Sequence, residues 1–139
     1  MSLRFPKKRD MTAGNSYGAK RVEHAGRSFA SKFEAAVFDM LWLREKAQEI
    51  RDLVCQVHVH LTAAKIVYIA DYSWIECAND QRLYGETKGY ETDVWRIKRR
   101  LWQHYGPGPL LIWRGSHRKY RLHETIVPQP TLEITGSNA

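Results

Sequence analysis

Several blocks of this chain alternate apolar with polar residues, while two others carry apolar residues at helical spacing. Within residues 54–61, Val57, Val59 and Leu61 alternate with polar neighbours, which predicts a first strand. Residues 65–76 are rich in β-branched and aromatic side chains that suit a pleated sheet, and they predict a second. Asn79 and Asp80 supply turn chemistry, after which residues 82–88 return as a third strand closed by Gly89. Helical spacing opens at Ser31, a good N-cap, and Glu34 completes a capping box with it. Phe33, Ala36, Val37, Met40, Leu41 and Arg44 mark one face of a helix running to about Ala47, and Ile50 and Leu53 anchor the connection beyond it. A second helix is expected from about Thr92 to Tyr105, ended by the run Gly106-Pro107-Gly108-Pro109. Its buried stripe reads Val94, Ile97, Leu101 and Tyr105, with Thr92, Arg96, Arg99 and Gln103 opposite. Residues 110–113 predict a fourth strand and residues 120–122 a short fifth.

The order helix, three-stranded meander, helix, strand predicts a mixed α/β layer fold. Residues 1–20 are polar, basic and without period, so they read as an arm; residues 21–125 form the domain and 126–139 an irregular tail. A chain of 139 residues is long enough to bury roughly two thirds of its unfolded surface without a disulfide or zinc staple. Cys55 and Cys77 lack zinc spacing and read as buried free thiols in a reducing compartment. No apolar run approaches the roughly 20 residues that span a bilayer, and no signal-peptide core is visible, so the expected location is the cytoplasm, with no membrane partner. Charge changes the picture more. With 22 Lys and Arg against 15 Asp and Glu, the net charge of +7 favours a polyanion as partner.

The candidate chemistry lies on the second and third strands. Side chains alternate along a strand, so Glu86 and Lys88 share a face, and Asp71 on the neighbouring strand can reach it. Two hard oxygen donors suit Mg²⁺ or Mn²⁺, and an ammonium beside them suits a phosphate oxygen, which points to cleavage of a phosphodiester. The plain alternative is a surface ion pair on a half-exposed hairpin.

The chain resembles the PD-(D/E)XK nuclease superfamily, whose core is αβββαβ with Asp on the second strand and Glu-x-Lys on the third. More closely it is similar to a family of small phage proteins of formerly unknown function. The residues that carry the likeness are Tyr17-Gly18, Phe29-Ala-Ser31-Lys-Phe-Glu34-Ala35, the segment from Gln48 through Ile50 and Leu53 to Gln56, Tyr68-Ile-Ala-Asp71-Tyr72, Glu86-Thr-Lys88-Gly89, and Lys98 ahead of Tyr105-Gly106. The chain departs from that pattern at Gln48, where glycine is usual and which bears on how the first helix ends. Glu86 replaces the commoner aspartate, and Val57 stands where proline is frequent.

The resemblance implies a restriction-endonuclease-like α/β fold and a Mg²⁺-dependent DNA endonuclease, with Mn²⁺ as substitute. Asp71 and Glu86 would hold the metal, joined by the Thr87 carbonyl, and Lys88 would orient the attacking water or neutralise the phosphate. Glu34 has two compatible roles, helix cap and contact with the metal or its water. The likeness to phage Holliday-junction resolvases implies branched DNA, a homodimer and a bacterial host cytoplasm. A flap or single-strand nuclease or nickase, and a non-catalytic nucleic-acid-binding protein of the same fold, are the competing readings. Lys7, Lys8 and Arg9 in the arm, Arg96, Arg99 and Arg100 on the second helix, and Arg118, Lys119 and Arg121 near the C-terminus read as a phosphate-binding surface. Lys98 flanks the buried stripe and points back toward the metal site. Gln56 reads as a solvent-facing polar residue, and His58 and His60 as exposed strand histidines lacking a third ligand. The five tryptophans read as core or interface, with Trp95 or Trp102 as candidates to stack on an unpaired base.

Overall fold

The computed structural model describes residues 21–129, so Lys7, Lys8, Arg9 and Tyr17-Gly18 lie outside the described residues. The chain runs β1 (Val22–His24), β2 (Arg27–Phe29), α1 (Lys32–Lys46), β3 (Ile50–His60), β4 (Val67–Glu76), β5 (Gln81–Lys88), α2 (Asp93–Tyr105), β6 (Leu110–Gly115) and β7 (Tyr120–Ile126). β3 to β7 form one five-stranded sheet in chain order. All neighbours are antiparallel except β5 and β6, which α2 joins as a parallel pair. This is a mixed α and β architecture with the expected order of helix, three strands, helix and strand at its centre. β1 and β2 pair as a small separate hairpin that the sequence pattern did not signal. Among the described residues no helix is long and apolar enough to cross a membrane.

Each face of the sheet carries its own core. α2 seals one, where Trp95 and Trp102 pack on Tyr68, Tyr84, Leu110 and Ile112. α1 and the β1–β2 hairpin seal the other, where Phe29, Phe38 and Leu41 meet Tyr72, Trp74 and Trp113. Gly85 is required at the crossing of three of those rings, because a Cβ there would lie 2.6 Å from the Trp113 ring and 3.0 Å from that of Trp74. It lets β5 lie flat against Trp113 just before Glu86.

α1 begins as expected: the Ser31 hydroxyl accepts from Glu34 N–H. It ends in a tight left-handed turn, with Gln48 N–H donating to Glu45 O and Glu49 N–H to Arg44 O, both at 3.0 Å. Gln48 itself takes φ +61°, the conformation that favours glycine, so the helix end keeps a glycine geometry despite the substitution. Ile50 and Leu53, expected in a connection, instead open β3, which is longer than the alternation indicated because a register shift between Arg51 and Val54 breaks its period. β7 likewise runs to Ile126, beyond its expected end at Leu122.

The face of α2 is a correction. Trp95 and Trp102 are the residues buried, whereas Val94, Ile97 and Tyr105 of the expected stripe are 62%, 61% and 55% exposed and Leu101 is half-buried. The two indoles offer far more apolar area than the aliphatic row, and rotate the helix about its axis. Arg99, expected on the outer face, pairs with Glu124 on β7. Cys55 is half-buried and Cys77 exposed, so the second thiol is not the buried one expected.

Candidate active site

β4 and β5 separate where the two carboxylates lie. Their ladder ends at Tyr72↔Gly85, although β5 continues alongside β6 to Lys88↔Arg114. On its other side β4 also falters: the β3–β4 ladder pairs Cys55↔Tyr72 and Val57↔Ala70 but leaves Gln56 and Asp71 out, and Gln56 has φ +54°. Across this break the strand changes face. Tyr68 and Ala70 belong to the core under α2, and Tyr72 and Trp74 to the core under α1, although all four share one parity.

Asp71 therefore points into the fork. Its Oδ2 accepts from Thr87 N–H and from the Thr87 hydroxyl, both at 2.8 Å. The carboxylate thus replaces the strand partner that Thr87 loses where the strands part. Glu86, on the α2 side, is buried; its Oε1 lies 3.1 Å from Lys88 Nζ and its Oε2 has no hydrogen-bond partner. Lys88 Nζ also sits 4.7 Å from the centre of the Trp95 ring. Glu34 enters from the first turn of α1. Its Oε1 accepts from Gln56 Nε2 at 2.8 Å and its Oε2 from Ala30 N–H at 3.3 Å, so it reaches back one residue beyond the N-cap. The Tyr72 hydroxyl donates to the Glu34 carbonyl and fixes the helix start to β4.

Burial and mutual repulsion act together on these groups. Burial, then the Asp71 charge, raises the Glu34 carboxyl to about 7 and that of Glu86 to about 8. Burial also raises Asp71, against the lowering effect of its two bonds from Thr87. Three carboxyl groups crowd one place with one ammonium beside them, and a buried oxygen of Glu86 is left unpaired. A cation fits that deficit. Among the described residues no three His, Cys, Asp or Glu side chains stand at metal-ligand spacing. Asp71 and Glu86 could act as donors for Mg²⁺, an ion that binds through one or two carboxylates and retains waters.

Glu34, Asp71, Glu86, Thr87 and Lys88 line one open cleft of about 640 Å³. The N-terminal turn of α1 (Ser31, Lys32, Phe33), Thr92 before α2, Gly115 at the end of β6, and Ser116 and His117 of the β6–β7 turn also line its wall. Arg118 and Lys119 follow on that turn and are exposed. Arg96 pairs with Glu91 and Asp93, and Arg100 is exposed. Lys98 Nζ lies 6.0 Å from the centre of the Tyr68 ring and is not among the residues lining the cleft. His58 and His60 are exposed, as expected. Trp95 and Trp102 are 3% and 0% exposed, which corrects their reading as platforms for an unpaired base.

The sequence pattern missed one contact of Gln56: the residue is exposed, as expected, and its amide also donates to Glu34 Oε1. It also missed the Thr87 side chain and the role of Trp95 beneath Lys88. Gln56 carries no signal, because its orientation follows from a positive φ that periodicity does not encode.

No curated protein and no solved structure gives a significant match to the chain. A family model described as "Protein of unknown function (DUF1064)" matches residues 14–122. That span includes every side chain lining the cleft, and the chain belongs to this family.

Proposed function

We propose that the protein is a divalent-metal-dependent endonuclease that hydrolyses phosphodiester bonds in DNA, with branched DNA as its preferred substrate. The observation that carries this reading is the meeting of Asp71, Glu86, Lys88 and Glu34 in one cleft where β4 and β5 part, with a buried oxygen of Glu86 unpaired. The order α1, β3, β4, β5, α2, β6, with β6 parallel to β5, supports a PD-(D/E)XK core.

Asp71 and Glu86 would hold Mg²⁺ or Mn²⁺, and the bound ion supplies an acidified water and a Lewis acid for a phosphate oxygen. Asp71 is presented by its two bonds from Thr87, so its orientation is set before any ligand arrives. Lys88 can exchange its contact with Glu86 for a phosphate oxygen and offset charge developing there. Glu34, with a carboxyl that titrates near neutrality, is suited to accept a proton from water in the cleft. The exposed basic residues beside the cleft, Lys32, Arg118 and Lys119, would hold flanking phosphates. A single small domain without a base-reading motif favours recognition of shape and backbone. Paired cuts on a two-fold-symmetric junction would require a homodimer.

The test is cleavage of a four-way junction, a flap, a duplex and a single strand of matched sequence in Mg²⁺ or Mn²⁺. Expected is cutting of the junction, abolished by EDTA and by Asp71→Asn, with DNA binding in Ca²⁺ retained. Cleavage confined to flap or single strand would move the substrate, and binding without any cleavage would leave a non-catalytic DNA-binding protein.

A further inference from the structure

Two buried polar atoms near the fork lack hydrogen-bond partners: Glu86 Oε2 and the Tyr68 hydroxyl oxygen. They occupy neighbouring strands on the α2 side of the sheet, where Tyr68 and the Glu86 partner Lys88 both lie against the Trp95 ring. Tyr68 is 2% exposed, and its ring is wedged against Trp95 and Trp102 at centroid distances of 6.1 and 5.1 Å. It cannot turn to water. A phenol has one proton to give and a carboxylate can only accept, so each atom is what the other lacks.

We infer that Tyr68 is a positioning residue for the metal site, its hydroxyl donating to Glu86 Oε2 and so setting the angle at which that carboxylate meets a cation shared with Asp71. This rests on the metal-dependent reading above. Lys88 holds the opposite oxygen of Glu86, so the carboxylate is gripped at both ends, and each oxygen keeps a second lone pair. When Lys88 turns to a phosphate, the Tyr68 contact is the one that remains. Tyr68 lies behind Glu86 and is not among the residues lining the cleft, so it acts through Glu86 and does not touch substrate.

Mn²⁺ is titrated calorimetrically into the DNA-free protein, its Tyr68→Phe variant and a Tyr84→Phe control, and melting is followed in EDTA. Tyr84 shares the same core and packs edge-on against Trp102 at 5.1 Å. Loss of an outer-shell partner weakens metal binding roughly 10- to 100-fold, so Tyr68→Phe should raise the Mn²⁺ Kd by about tenfold or more while Tyr84→Phe binds as wild type. The EDTA Tm of Tyr68→Phe should fall by no more than the loss of one hydrogen bond implies, so that the variant remains folded. Unchanged Mn²⁺ affinity in Tyr68→Phe overturns the inference, and with a lowered Tm it makes the hydroxyl merely structural. A wild-type protein that binds no Mn²⁺ overturns the metal reading itself, a result distinguishable from the first.

Discussion

Glu34 shows how one residue satisfies local and site chemistry together. The capping box explains a glutamate at this position, yet the carboxylate also bonds Gln56 across to β3 and lies in the cleft with Asp71. If its cleft role is proton transfer, Glu34→Gln should slow cleavage by about 10²- to 10⁴-fold. Its Tm in EDTA should change little, and full activity would leave only the cap. The raised carboxyls add a pH signature. Glu86 titrates near 8 in the fold against about 4.3 unfolded, so between those values the folded state holds the extra proton. Its contribution therefore lowers metal-free stability as pH rises through that window, with the loss complete above about 8. Melts in EDTA from pH 5.5 to 9 should show wild type losing Tm relative to Glu86→Gln. Parallel curves would refute this. The meeting of Asp71, Glu86 and Lys88 in one cleft was legible because strand parity and spacing suggest it. The face change at Asp71 and the positive φ of Gln56 were not, because alternation assumes an unbroken strand.

At the scale of elements, the same limit explains α2. Val94, Ile97, Leu101 and Tyr105 make a valid helical stripe, and reading Lys and Arg as solvent positions places it inward. The structure buries Trp95 and Trp102 instead. Between them Lys98 and Arg99 lay their aliphatic stems inward and carry their charges to Tyr68 and Glu124. Trp102→Ala should accordingly destabilise by roughly 3–5 kcal/mol, and Ile97→Ala by no more than about 0.5 kcal/mol, as read from denaturant midpoints. A reversed ranking would restore the aliphatic stripe. At the end of α1, Gln48→Gly should stabilise by about 1 kcal/mol, because the left-handed turn is retained without a Cβ. The sequence departure was visible there, but the positive φ that Gln48 adopts was not, because residue type alone favours glycine at such a turn.

Across the whole molecule, a net charge of +7 would favour a polyanion but does not say where one would lie. The structure divides the basic residues by what already holds them. Arg99 is paired with Glu124, Arg44 with Glu76 and Glu49, and Arg114 with Glu91, so these guanidiniums serve the fold. Arg118 and Lys119 are exposed on the β6–β7 turn, next to His117 at the wall of the cleft, and among the described residues they form no ion pair. If the protein holds DNA by its backbone, each lost phosphate contact should reduce the slope of log K against log salt by roughly 0.9 on duplex arms. Arg118→Ala with Lys119→Ala should therefore flatten the salt dependence and weaken binding about equally for junctions of one shape and unrelated sequence. Arg99→Ala should leave the slope nearly unchanged and lower Tm, because its partner is Glu124 and not a phosphate. Titrations in Ca²⁺ at several salt concentrations separate these outcomes. A loss confined to one DNA sequence would mean that the turn reads bases, and an equal slope change in Arg99→Ala would mean that its ion pair opens to DNA.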